Sequence, residues 1–197
     1  IMENHISIAV AGTHGKTTIS SMIAHIFRSS DIGCNAFLGG IARNFGSNLV
    51  LDKGSDFYIA EADEFDRSFL TLFPDYAVVS AVDDDHMDIY GERKNLLASF
   101  NKFISQIKPG GILILKNGVD LDLPDGIKIY RYSLQDPCDY YAFNIKKSGI
   151  SYQFSIHTPF GDIHELETGV WGKLNIENAV AAFAIAQQSG INADSIK

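Results

Sequence analysis

Residues 11–18 read Ala11-Gly12-Thr13-His14-Gly15-Lys16-Thr17-Thr18, directly after the apolar run Ile6-Ser7-Ile8-Ala9-Val10 and directly before a helix-like stretch. A strand, a glycine-containing turn and a helix in that order form the setting of a phosphate-binding loop. Glycines let the backbone wrap around phosphates, and amides at the helix start face the anion. A lysine balances the β/γ charge and a hydroxyl ligates magnesium. Lys16 and Thr17 are the residues for those last two tasks; Gly12, Thr13, His14, Gly15 and Thr18 complete the loop. The general pattern has a further glycine five residues before Gly15, where this chain has Val10, so a shorter Gly-x-x-Gly-Lys-Thr remains. The bland alternative is an ordinary glycine-rich turn, which the flanking strand and helix disfavour.

Outward from the loop, Ile19, Met22, Ile23, Ile26 and Phe27 recur at helical spacing over Thr17–Arg28, and Gly33 follows as a terminator. Phe57–Ala60 and Tyr76–Val82 are continuous apolar runs, as expected for strands buried on both faces of a parallel sheet. Leu96, Leu97, Phe100, Phe103, Ile104 and Ile107 mark a second amphipathic helix, closed by Pro109-Gly110-Gly111 before the strand Ile112–Leu115. Residues Phe37–Val50, rich in glycine and asparagine, read equally as a substrate-side excursion or a surface loop. Beyond Asn117 come short alternating runs, Ile127–Tyr132, Tyr141–Lys146, Ser151–His157 and His164–Val170, and then an alanine-rich helix over Asn175–Ser189. The expected fold class is α/β: a P-loop-type, mostly parallel sheet flanked by helices, with a small antiparallel β extension.

The 197 residues, 46% hydrophobic, suffice for one substantial domain core without disulfides or metal. Two cysteines, Cys34 and Cys138, give neither a disulfide framework nor zinc-site spacing, which fits a reducing cytoplasm. A net charge of -8 opposes nucleic acid and anionic membrane as partners. No apolar run is long enough to cross a bilayer, and the first residues lack a signal-peptide layout. With a strand already under way at the first residues and a strong helix just before the last, the chain reads as one domain, 1–197, cut from a longer protein.

Two acidic segments follow the buried strands. In a parallel sheet the strand C-termini share one edge with the phosphate loop, so Glu61, Asp63, Glu64 and Asp66 reach the place where a magnesium ion would bridge phosphates. Glu61, first after the apolar run, is the preferred ligand; solvated loop charges are the alternative, strongest for Asp66. Asp83-Asp84-Asp85-His86-Met87-Asp88 follows the next strand in the same way, which singles out His86. No Gly-x-Ser-x-Gly elbow and no Gly-x-Gly-x-x-Gly fingerprint occur, so neither covalent hydrolase chemistry nor NAD is supported.

Four motifs, Ala11–Thr18, Glu61-Ala62-Asp63-Glu64, Asp85-His86-Met87-Asp88 and Gly172-Lys173-Leu174-Asn175-Ile176-Glu177-Asn178-Ala179, resemble in order and spacing the central ATPase domain of the Mur ligases. The resemblance implies a three-domain, ATP- and Mg2+-dependent enzyme with a UDP-sugar domain before this chain and an amino-acid domain after it. Within the family the loop and acidic motifs are most similar to the branch that joins L-alanine to UDP-N-acetylmuramate in peptidoglycan synthesis. The implied roles are Lys16 and the loop amides on the β/γ-phosphates, Thr17, Glu61 and His86 around magnesium, and Asn175 and Asn178 near the adenine. Asn175 also has a plainer reading as the cap of the final helix. Leu174 stands where the family usually has histidine, and Ala81 where it often has asparagine. Rival readings are a ligase that adds a preformed murein tripeptide to the same UDP-sugar, a more distant folylpolyglutamate synthase, and a nucleotide-dependent switch that forms no acyl phosphate.

Overall fold

The computed structural model describes residues 5–65, 67–84 and 87–192, with backbone alone at 87 and 88. In chain order the elements are β1 (Ile6–Ala11), α1 (Lys16–Ser29), β2 (Asn35–Ala42), β3 (Ser47–Val50), β4 (Phe57–Glu61), a 3-10 turn at Ser68–Thr71, β5 (Tyr76–Val79) and α2 (Met87–Tyr90). They continue with α3 (Arg93–Ser105), β6 (Ile112–Lys116), β7 (Lys128–Ser133), β8 (Tyr140–Ser148), β9 (Ser151–His157), β10 (Ile163–Thr168) and α4 (Lys173–Gln188).

The ten strands form one sheet in the order β10-β9-β8-β7-β6-β5-β1-β4-β2-β3. All neighbours from β8 through to β2 run parallel, while β3 at one edge and β9 and β10 at the other pair antiparallel. The continuous apolar runs explain the middle of this sheet. Ile8 and Val10 of β1 pack with Ile19, Ile23 and Phe27 of α1 and with the apolar face of α4. Ala9 and Ala11 face the other way, into a second core with Phe100, Phe103 and Ile104 of α3. Each of the larger side chains here contributes roughly 1.5–3 kcal/mol by leaving water. The backbone winds away from β1 in both directions, through α1 to β2 and, on the opposite face, from β5 through α3 to β6. A reversal of this kind opens a crevice at the strand C-termini, and β1, β4 and β5 all end there.

Two expectations change. Phe37–Val50 is a β-hairpin, with β2 parallel to β4 in the register Ala36↔Ile59 and Phe37↔Ala60. Glycine-rich sequence tolerates a strand here because β4 approaches closely: a Cβ on Gly39 would fall 2.6 Å from Cδ of Glu61. The run Ile127–Tyr132 belongs to the parallel part, since β7 pairs Ile112↔Lys128 through Lys116↔Tyr132 with β6. The antiparallel extension is therefore β8–β10, joined to the parallel sheet by the short pairing of Tyr132 with Tyr140 and Ser133 with Tyr141.

Asp75 ties the opposite, N-terminal edge of the sheet. It accepts from Ser7 N–H at 2.8 Å, Ser7 Oγ at 2.9 Å and Lys108 Nζ at 2.8 Å. Burial alone would raise its carboxyl, but the hydrogen bonds from Lys108 and Ser7 outweigh burial and hold it below the usual carboxylate range. A depressed folded value stabilises the fold above the unfolded pKa of about 3.9, and that contribution fades as pH falls through the folded value. Asp75→Asn is accordingly expected to lower stability by about 1–2 kcal/mol at neutral pH and to flatten the acid limb of a denaturation profile. An unchanged acid limb would contradict the assignment.

Candidate active site

The loop between β1 and α1 is stapled to the end of β5. Thr13 N–H donates to the Ala81 carbonyl at 3.0 Å, Asp83 N–H donates to Thr13 Oγ1 at 3.2 Å, and Ser80 Oγ donates to the His14 carbonyl. Gly12, at φ 132, is required by this proximity, because a Cβ there would lie 2.8 Å from the Ala81 nitrogen. Gly15, at φ 86, starts α1 without a side-chain cap, and no acidic residue occupies the first turn. The leading amides of α1 therefore remain available to an anion.

The next two residues carry the charge chemistry. Lys16 Nζ donates to both Glu64 oxygens at 2.8 Å and to the Gly12 carbonyl at 2.9 Å. Thr17 Oγ1 donates to Glu61 Oε1 at 2.9 Å, and Gly39 N–H donates to Glu61 Oε2 at 2.7 Å. A hydroxyl and a carboxylate meeting beside a phosphate loop are hard oxygen donors of the kind magnesium takes, the remaining positions falling to phosphate and water. Among the described residues no three His, Cys, Asp or Glu side chains converge into a self-sufficient metal cage. The pair Thr17 and Glu61 fits an ion that arrives with a nucleotide.

Of the other sequence candidates, His14 is exposed, with Nε2 3.6 Å from Asp83 Oδ2. Thr18 borders a mostly apolar cavity of about 610 Å³, lined also by Met22 of α1, Phe154 of β9, Leu166 of β10 and Phe183 of α4. Asn178 is buried, its Oδ1 2.9 Å from where a Cβ on Gly15 would lie, and its Nδ2 donates to Asn175 Oδ1 at 3.4 Å. Asn175 is not the helix cap. Gly172 takes that position, and Asn175 in the first turn of α4 donates from Nδ2 to the Trp171 carbonyl. His86, with Asp85 and Asp66, lies outside the described residues, and the side chain of Asp88 likewise. Ser80 is not among the sequence candidates, and Gly39 enters there only within the glycine-rich stretch 37–50.

Compared with known families, residues 10–186 match the Mur ligase middle domain. The chain belongs to that family. This Mur ligase domain is 48% identical over 192 residues to the UDP-N-acetylmuramate–L-alanine ligase of Phocaeicola vulgatus, a match covering 96% of the chain and 42% of the relative. The chain thus spans less than half the length of the curated relatives it matches. Among solved structures it superposes on the UDP-N-acetylmuramate:L-alanyl-gamma-D-glutamyl-meso-diaminopimelate ligase of Neisseria meningitides with a TM-score of 0.86 at 22% identity, covering 100% of the chain and 65% of that structure. For the UDP-N-acetylmuramate-alanine ligase of Thermotoga maritima the TM-score is 0.82 at 24% identity, over 98% and 44%. These two likenesses concern the fold. Both departures from the Mur ligase pattern now have a place: Ala81 works through its backbone, which holds Thr13, and Leu174 is 62% exposed in the first turn of α4.

Proposed function

We propose that this Mur ligase domain is the ATP-binding portion of an enzyme that joins L-alanine to UDP-N-acetylmuramate in the cytoplasm, with the UDP-sugar and amino-acid domains lying outside the present chain. The observation that carries the reading is the cluster of Lys16, Thr17 and Glu61 at the mouth of the phosphate loop. The choice of substrates leans on the similarity to the Phocaeicola vulgatus ligase. Among the described residues no helix is long and apolar enough to cross a membrane.

The ligation activates the substrate carboxylate by phosphoryl transfer from ATP, after which the amine of L-alanine displaces phosphate. Lys16 and the amides of Gly15–Thr18 would bind the β- and γ-phosphates and stabilise the charge that develops during transfer. Thr17 and Glu61, with His86 as a further candidate, would hold magnesium, which would supply neutralisation of phosphate charge. Asn178, pressed on Gly15, and Asn175 beside it would orient the adenine end. In this reading these residues act by positioning and electrostatics.

Phosphate release by the full-length protein with Mg-ATP and UDP-N-acetylmuramate is the test, comparing L-alanine, the murein tripeptide and no amine. Release is expected to depend on L-alanine. Dependence on the tripeptide would assign the recycling branch instead, and release indifferent to both would leave a nucleotide-dependent switch.

A further inference from the structure

The loop lysine is held by one carboxylate and one backbone carbonyl. Its ammonium lies within hydrogen-bond distance of three oxygens, the two of Glu64 and the Gly12 carbonyl. Glu64 has no solvent exposure and the Lys16 side chain only 13%. The backbone that carries this carboxylate is also held. Tyr90 O–H donates to the Glu64 carbonyl at 2.6 Å, the Tyr90 carbonyl accepts from Asn95 Nδ2 at 2.8 Å, and the Arg67 guanidinium lies 5.1 Å from the Tyr90 ring centre. A phosphate that reaches Lys16 brings negative charge beside a carboxylate with no exposure to water.

We propose that Glu64 is the positioning residue of Lys16: a buried counter-ion that holds the ammonium at the loop mouth when phosphate is absent and competes with phosphate when it arrives. The consequence is a nucleotide site weaker than its lysine alone would make it, from which ADP leaves more readily. This inference rests on the reading of the loop as a nucleotide site. The geometry also sets the sign of the effect. Glutamine keeps an oxygen acceptor for Lys16 and removes the like charge, so the competition ends while the shape persists.

Titration calorimetry of the full-length protein with Mg-ADP reads this directly. Glu64→Gln is expected to bind Mg-ADP about tenfold more tightly, the order expected for removing one like charge near a phosphate. Glu64→Asp keeps the charge and should bind as the parent does. A purely structural role for Glu64 predicts the opposite sign, weaker binding in both variants. Unchanged or weaker binding by Glu64→Gln, or tightening shared by Glu64→Asp, overturns the proposal. Should Glu64→Gln fail to fold, carboxyl 13C NMR of the parent addresses the same point: the Glu64 resonance should move on addition of Mg-ADP, and a resonance that stays put overturns the exchange. Failure of the parent itself to bind Mg-ADP would overturn the nucleotide reading, and this inference with it, whereas binding without the Glu64→Gln effect removes the inference alone.

Discussion

Lys16→Ala is expected to abolish measurable ligation, lowering kcat by at least about 10²–10³-fold, the range found when a single donor to developing charge is removed. The structure adds a second effect. Lys16 is the countercharge 2.8 Å from a carboxylate with no solvent exposure, and removing one member of a buried pair destabilises by about 3–5 kcal/mol. The single variant should therefore also melt earlier, which would blur a loss of chemistry with a loss of fold. Lys16→Ala combined with Glu64→Gln separates the two: stability should largely return while ligation stays absent. Measuring kcat and the thermal midpoint for the parent, the single and the double variant decides the matter, and near-normal ligation by either variant would remove Lys16 from the reaction.

Glu61→Gln should act on magnesium. Each Glu61 oxygen has its own donor, Thr17 Oγ1 on one side and Gly39 N–H on the other, so an amide nitrogen in either position also disturbs one of the two contacts. Loss of partners merely adjacent to a metal ligand typically costs about 10–100-fold in metal affinity. The half-saturating magnesium concentration for turnover is accordingly expected to rise at least about tenfold, with the midpoint of thermal unfolding little changed because Glu61 is only half-buried. A magnesium titration that superimposes on that of the parent would show that Glu61 merely holds Thr17 and Gly39.

The sequence displayed the frame of this domain more readily than its edges. The runs Ile8–Ala11 and Tyr76–Val79 are apolar on consecutive positions because both faces of their strands are covered, and a parallel sheet follows from that. The hairpin of β2 and β3 was hidden because Gly39 and Gly40 are poor strand formers; Gly39 is there for the close passage of Glu61, a long-range reason that local propensity does not contain. The alternation of β8–β10 announced an antiparallel piece, whereas its attachment through β7 depends on pairing that no periodicity encodes. At the site, the phosphate loop and the acid clusters are local patterns and could be read. The pairing of Lys16 with Glu64 spans 48 residues, and Ser80 and Asn178 touch the loop from a strand end and from within α4, far along the chain. Asn175 was open to a capping role until Gly172 proved to begin the helix.

The antiparallel extension shares its core with the rest of the molecule. Phe154 and Ile156 of β9 and Leu166 of β10 share one continuous core with Val180 and Phe183 of α4 and with Ile8 and Val10 beneath the phosphate loop. α4 in turn delivers Asn178 to Gly15. The far strands thus serve as a buttress: they fix the helix that fixes the loop, so damage at the β9–β10 edge reaches the phosphate cradle through a rigid lever of four helical turns.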